Sequence, residues 1–164
     1  LYLHGAPASR MLRALRAGGD LCVTVTLVDG LVLAASAMHH SMNYRSAVVM
    51  GKATEITDPA AKTEALRAIV EHSSVPGRWE QVRPPLPQEL AATMVVTLPL
   101  EHCSAKVRTG GPTDNEEDLA LPVWTGEVPL RLRAGTPVPC AGRPLFTHRS
   151  EPVQALVTQR LGGL

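Results

Sequence analysis

Apolar and polar positions alternate along this chain with two different periods, and the switches between them outline the elements. Tyr2 to His4 reads as a short strand that ends at Gly5. Pro7 suits the first turn of a helix, where its missing N–H costs nothing. Ala8, Met11, Leu12 and Leu15 then give a helical apolar stripe, which Gly18-Gly19 closes. Leu21 to Val28 is rich in β-branched residues and predicts a strand. Asp29-Gly30 is a strong hairpin signal, with Leu31 to Ala37 as the returning strand. Tyr44 to Ile56 predicts a third, longer strand, in which Gly51 marks a bulge or bend.

Asp58-Pro59 supplies an N-cap followed by proline at the first helical position. Ala65, Leu66, Ile69 and Val70 form the expected buried face of that helix. Pro76-Gly77 and the Pro84 to Pro87 run mark irregular connections. Ala92 to Val107 predicts another strand, interrupted near Pro99, and Gly110-Gly111-Pro112 turns into an acidic loop, Asp114 to Asp118. Leu130 to Leu132 predicts a last short strand, Pro137 to Pro144 a loop, and Glu151 to Leu161 a short C-terminal helix. There are no long alternating βαβ units and no internal repeats. The expected class is therefore mainly β with flanking helices, an antiparallel barrel rather than a doubly wound sheet. Residues 1–133 form the expected domain, and residues 134–164 a C-terminal loop and short helix.

Composition narrows this picture. Aromatic residues are 3% of the chain against 45% hydrophobic, so the core must be aliphatic. Sixteen Lys and Arg balance fifteen Asp and Glu, a net charge of +1. That balance argues against a broad nucleic-acid footprint and leaves room for a local basic pocket. Cys22, Cys103 and Cys140 are odd in number and far apart, which fits a reducing compartment and reduced thiols. Neither a signal peptide nor an 18-residue apolar run is present. The chain reads as cytoplasmic, with no membrane or nucleic-acid partner. It begins at Leu1 with a strand in progress, and upstream strands are expected to be missing.

Three constellations could carry chemistry. His4-Gly5-Ala6-Pro7-Ala8-Ser9-Arg10 joins a strand end to a helix start, where N–H groups, a hydroxyl and a guanidinium could cradle a phosphate. Most helix N-termini bind nothing, so the same residues also read as an ordinary solvated helix start. His39-His40-Ser41-Met42-Asn43-Tyr44-Arg45-Ser46 is denser in donors than a connection between apolar strands requires. Adjacent His39 and His40 face opposite ways if extended, so a shared metal is not expected. Lys106 and Arg108 lie two apart and share one face of a strand, either as solvated charge or as a second basic contribution to a pocket. No nucleophile elbow, HExxH or GxGxxG pattern occurs.

Taken together, Leu1 to Gly5, Ser9-Arg10, Asp29 to Leu33, His39 to Ser46, Ser104 to Gly110 and Leu121-Pro122-Val123-Trp124 resemble the flavin-nucleotide-binding, pyridoxamine-phosphate-oxidase-like family. The similarity spans roughly residues 1–133, and is more distant to nitroimidazole-resistance reductases and to pyridoxamine-phosphate oxidases themselves. The resemblance implies a split β-barrel, a homodimer, and FMN at the subunit interface. It places Ser9 and Arg10 near the FMN phosphate, Arg45 and Ser46 on the cofactor, and His4 close to the flavin. Asn43 and Tyr44 come with the same segment. Arg10 and Arg45 are expected to act together on one phosphate. Ala35 and Met38 stand where close relatives would carry Arg and Phe. A match to the C-terminal substrate motif of true pyridoxamine-phosphate oxidases is lacking, so vitamin B6 oxidation is not expected. The implied function is FMN binding by an oxidoreductase acting on a small molecule. The alternatives are a non-catalytic flavin carrier or sensor, and a truncated relative that no longer binds flavin.

Overall fold

The computed structural model describes residues 1–138, Cys140, and residues 155, 157–159 and 161. The loop expected over Pro137–Pro144 and the helix over Glu151–Leu161 lie largely outside the described residues; those described in the second stretch are helical. In chain order the elements are β1 (Tyr2–Gly5), α1 (Arg10–Arg16), β2 (Asp20–Leu33), β3 (Ser41–Lys52), β4 (Thr54–Glu55), α2 (Pro59–Ser73), α3 (Pro87–Ala91), β5 (Met94–Thr97), β6 (Cys103–Arg108) and β7 (Gly126–Pro129). Short 3-10 turns cover Trp79–Gln81 and Glu116–Ala120. The class is mainly antiparallel β with flanking helices, as the sequence predicts. The elements form two compact units: Leu1–Gly19 with Ala53–Leu98 and the residues from Leu132 onward, and Asp20–Lys52 with Pro99–Arg131.

The first unit is built around β5, which pairs antiparallel with β1 on one side and β4 on the other. Met94, Val95, Val96 and Leu98 are all sealed from solvent, so successive side chains on both faces of this strand are covered. A continuous apolar run is the pattern of a strand buried on both sides. Helix α1 begins at Arg10, three residues later than Pro7 predicts, because Pro7 and Ala8 form a turn closed by the Ser9 N–H on the Ala6 carbonyl at 2.9 Å. The later start narrows the apolar stripe to Leu12 and Leu15, both buried, and leaves Met11 exposed. Gly18 at φ 86° ends the helix, with the Gly19 N–H returning to the Ala14 carbonyl at 3.0 Å. Arg16 then forks onto Glu55 at 2.8 and 3.0 Å, tying α1 to β4.

Helix α2 starts as predicted: the Asp58 carboxylate accepts the Ala61 N–H at 2.8 Å, and Pro59 opens the helix. Ala65 is fully buried, whereas Leu66, Ile69 and Val70 remain half-buried, because the helix lies on a sheet of only three strands. The proline-rich run contains the five-residue α3. Leu86 at its N-cap has no side-chain acceptor, so the Glu89 carboxylate takes the Leu86 N–H at 2.7 Å while Arg83 grips it at 2.5 and 2.8 Å. These bonds hold the Glu89 carboxyl down from 4.5 to about 2, the Arg83 contact contributing most and the Leu86 N–H next.

The second unit is a four-stranded antiparallel sheet in the order β6-β3-β2-β7. The hairpin expected at Asp29-Gly30 does not form. β2 runs through both residues as one 14-residue strand, with a bulge between Val28 and Gly30 where the register against β3 shifts. Gly30 favours close approach, not a turn: a Cβ there would sit a tight 3.2 Å from the Val128 carbonyl of β7. The strands turn instead over Ala34–His40. β3 ends at Lys52, earlier than expected, and Thr54–Glu55 pairs in the other sheet. The Pro99 interruption likewise divides β5 from β6, which pair in different sheets. The last strand falls at Gly126–Pro129, not Leu130–Leu132; one further bond, Leu130 N–H to the Asp29 carbonyl at 2.9 Å, extends its contact with β2.

Two outcomes follow. Leu98→Ala removes a sealed side chain and is expected to cost about 2–5 kcal/mol in chemical denaturation. A carboxyl whose pKa is lower in the folded chain stabilises the fold above its unfolded value, and this contribution disappears as pH falls through the folded value. Glu89→Gln is therefore expected to flatten the pH dependence of Tm between about 4.5 and about 2; an unchanged acid limb contradicts this.

Candidate functional site

The register of the second sheet decides which side chains can meet one ligand. Directly opposed residues on antiparallel strands project from the same face, and neighbours along a strand project from opposite faces. Ser46 pairs with Thr26 on β2 and with Lys106 on β6; Tyr44 pairs with Val28 and Arg108; Val48 pairs with Thr24 and Ser104. These nine residues share one mixed, largely polar face. The intervening rows, Leu27–Arg45–Val107, Val25–Ala47–Ala105 and Val23–Val49–Cys103, form the opposite, apolar face. Arg45 and Ser46, adjacent in sequence, thus project from opposite sides of the sheet.

Each side chain has a defined setting. Ser46 Oγ lies 2.8 Å from Thr26 Oγ1. Lys106 Nζ sits 5.9 Å from the centre of the Tyr44 ring, at the limit of a cation–π contact. Arg45 donates Nε and Nη2 to the two carboxylate oxygens of Asp29 at 2.9 and 2.8 Å, a bidentate pair that raises the guanidinium pKa, the hydrogen bond contributing most. The bulge brings Asp29 to this position. Asn43 is the buried polar residue of this sheet, 2% exposed, and its Oδ1 accepts from Arg108 Nη1 at 2.6 Å. Arg108 also donates to the Gly110 and Gly111 carbonyls at 3.2 and 3.3 Å.

The Ala34–His40 connection is held from several sides. Asp114 accepts the Ala35 N–H at 2.9 Å, and the His39 N–H bonds the Ser36 carbonyl at 3.1 Å. His40 Nδ1 lies 3.0 Å from the same carbonyl. A carbonyl brings no proton, so Nδ1 donates and Nε2 keeps its lone pair. His39 Nδ1 is buried and makes no hydrogen bond.

His4, Ser9 and Arg10 belong to the first unit. His4 lies on β1 opposite Val95. Ser9 is the N-cap residue of α1 but its side chain makes no capping bond, and Arg10 is an exposed first-turn residue. At seven residues α1 has a short dipole, so an anion there would depend mainly on the Arg10 charge. Thr26 and Asp29 were not legible as site residues. Thr26 is twenty positions from Ser46, and only the bulged register makes them partners. Asp29 carried a turn signal that hid its carboxylate.

The family model described as pyridoxamine 5'-phosphate oxidase matches residues 1–107. The chain belongs to this family. Two solved structures are similar over most of it: a flavocytochrome from Azotobacter vinelandii and an FAD- and heme-binding protein from Mycobacterium smegmatis. The first is 43% identical with a TM-score of 0.81, over 88% of this chain and 67% of that one. The second is 36% identical with a TM-score of 0.84, over 89% of this chain and 71% of that one. A candidate 5-nitroimidazole antibiotic resistance protein from Bacteroides thetaiotaomicron, 24% identical at a TM-score of 0.50 over 63% of this chain and 58% of that one, shares the fold alone. No curated protein matches the sequence. Among the described residues no helix is long and apolar enough to cross a membrane.

Two variants test the architecture of the site. Asn43→Ala leaves Arg108 without its buried acceptor and is expected to destabilise the chain by about 1.5–3 kcal/mol. Asp114→Ala is expected to leave global stability nearly unchanged while speeding hydrogen exchange at the Ala35 amide, read residue by residue by NMR.

Proposed function

We propose that this chain is the flavin-nucleotide-binding part of a redox protein. The observation that carries the reading is that two relatives 43% and 36% identical to it, aligned over nearly nine-tenths of its length, are a flavocytochrome and an FAD- and heme-binding protein. The donor set on the polar face of the second sheet fits such a ligand: an aromatic ring at Tyr44, hydroxyls at Thr26 and Ser46, and the Lys106 cation. The family resemblance favours FMN, and the Mycobacterium relative binds FAD. Both share the isoalloxazine ring, the ribityl chain and the first phosphate, so one set of residues serves either. A bound flavin supplies reversible one- and two-electron chemistry. The protein supplies orientation, exclusion of water and local charge. In this reading Tyr44 and Ser46 contact the flavin nucleotide, and the family resemblance adds His4, Ser9 and Arg10. Asn43 fixes the strand through Arg108, and Arg45 is held by Asp29 on the sheet's other face.

A homodimer accompanies this reading. Val25 and Val107, on the apolar face, are 57% and 62% exposed in the single chain. Exposed apolar surface of this kind marks an association site, and a two-fold partner would cover it. The protein would act in the cytoplasm on a small molecule.

The names of both relatives also support a second redox group. In heme proteins and other metal sites, a ligating imidazole usually gives its second N–H to a carbonyl or carboxylate. His40, an exposed residue bonded through Nδ1 to the Ser36 carbonyl, has that arrangement with the Nε2 lone pair left for a metal.

Purified full-length protein is expected to be yellow, and its released flavin is identified as FMN or FAD by mass. Colourless protein that takes up neither flavin on titration overturns the reading and leaves a member of the family that binds none. Bleaching by a reduced nicotinamide distinguishes a reductase from a carrier. A pyridine hemochrome spectrum tests for heme, and His40→Ala is expected to remove its Soret band while sparing the flavin.

A further inference from the structure

Cys22, Met50 and His102 come from distant parts of the chain yet stand in one row near the end of the second sheet. Cys22 on β2 lies directly opposite Met50 on β3. The Met50 N–H bonds the His102 carbonyl at 2.9 Å, which carries the β3–β6 register one residue beyond Val49–Cys103 and sets His102 opposite Met50. We propose that this row is a binding site for a soft monovalent metal ion, copper(I), held by the Cys22 thiolate, the Met50 thioether and the His102 imidazole. The site is separate from the flavin. Thr24, Val48 and Ser104 form a row between it and Ser46, so the two sites lie about 13 Å apart along strands that rise about 3.3 Å per residue.

Four observations converge on the row. The first is its face. Opposed residues project from the same side of a sheet, and so do residues two apart along a strand. Cys22 and Met50 therefore continue the face that carries Thr24 and Val48, and His102 joins it two residues before Ser104. Cys103 projects from the other side, a whole strand away from Cys22, which rules out a disulfide between them. The second is reach. β2 and β6 flank β3 at about 4.8 Å each, so the outer two residues stand roughly 10 Å apart. A short thiol on one side, an imidazole extending through its far nitrogen on the other and an unbranched thioether between them bring three donors to one ion at bonds of about 2.0–2.3 Å. The third is availability. Cys22 is a free, exposed thiol, Met50 is 56% exposed and His102 is exposed. At that exposure the Met50 side chain adds little to any core. The fourth is charge. In the row beyond, Asp20 faces Lys52 with opposite sign, and the row on the other side carries no charge. Neither favours a dication, whereas a monovalent ion on one thiolate is neutral.

The donor set decides the metal. Thiolate and thioether select copper(I), calcium and magnesium require oxygen donors, and zinc is held by thiolate, imidazole and carboxylate. Binding displaces the thiol proton: Cu⁺ and the Cys22 thiol give a Cu–S bond and H⁺, with no change of oxidation state. Affinity therefore falls as pH falls.

The test is titration of the full chain carrying Cys103→Ser and Cys140→Ser, which leave Cys22 as its one thiol. Copper(I), kept reduced by ascorbate under nitrogen, is competed against the chromophoric chelator bathocuproine disulfonate. One ion per chain is expected, and Cys22→Ser is expected to abolish its binding. Met50→Leu and His102→Gln are each expected to weaken it at least about tenfold, since even the outer partners of metal ligands are commonly worth that much. Silver(I), an ion of similar softness, is followed by NMR in the unsubstituted chain. It is expected to shift the Met50 methyl and the His102 ring together and to saturate at one equivalent, while zinc leaves the Met50 methyl in place. Copper(I) affinity unchanged in both Met50→Leu and His102→Gln overturns the proposal, because the thiol then binds alone. So does silver that moves the Met50 methyl without the His102 ring, or zinc that moves both. Flavin uptake in Cys22→Ser is expected to match the parent; a selective loss of flavin there would place Cys22 in the cofactor site and overturn the assignment.

Discussion

The antiparallel pairing of β2 with β3 is the constraint on which the rest of the second unit depends. It runs from Asp20 opposite Lys52 to Val32 opposite Ser41, and its alternation sets the face of every side chain along it. A slip of one residue by β3 would exchange its two faces, sending Ser46 to the apolar side, away from Thr26, and Arg45 to the polar one. Two cross-strand pairs, one on each face, oppose such a slip: the hydroxyls of Thr26 and Ser46, and the Arg45–Asp29 fork. Individually each is an exposed contact worth a fraction of a kcal/mol to about 1 kcal/mol, so their value lies in register more than in stability.

The bulge at Asp29 is a slip of one residue placed at one point. Before it, the even-numbered residues of β2 share a face with Tyr44 and Ser46. After it, Leu31 shares that face with Met42, while Gly30 and Val32 turn to the side of Asn43 and Ser41, where they are buried. The bulge thus reconciles two demands on one strand. Its first part presents a polar row, and its last part buries Val32 and lets β7 approach across Gly30. It also explains why Asp29 and Gly30 read as a turn: the residues that permit a hairpin are those that permit a bulge.

What was legible in the sequence follows from the range of each signal. The β class, the Asp58 cap, the Gly18 helix end and the strand ahead of Pro99 rest on residues within a few positions of one another, and the structure has them. The break at Pro99 was visible, but not that the segments beside it join different sheets, since no local pattern names a strand's partner. The family was legible because its motifs are contiguous: His39 to Ser46 forms one segment. The geometry inside that segment was not. Read as a string, Arg45-Ser46 is a pair; read as a strand, its members are on opposite faces. Arg108 looked like solvated charge because its acceptor, Asn43, is 65 residues away, where the Nη1–Oδ1 bond fixes it at 2.6 Å.

A near-neutral chain can still hold a selective anion site if its cations are unevenly committed. Four arginines of this protein act as staples: Arg16 on Glu55, Arg45 on Asp29, Arg67 on Glu80 and Arg83 on Glu89. A planar guanidinium suits that use, because its fork meets both oxygens of a carboxylate, and the pair then presents little net charge to a third group. An ammonium on a flexible stem cannot hold a carboxylate so rigidly, but it can follow a ligand. Exposed charges beyond about 8 Å are screened at physiological ionic strength, so the local charges of the sheet, not the net charge of the chain, govern what a phosphate feels. On the polar face those are Lys106, and Arg108 one row along. The lysine of the polar face, which no carboxylate among the described residues staples, thus leaves more net charge there than the Arg45–Asp29 pair leaves on the opposite face.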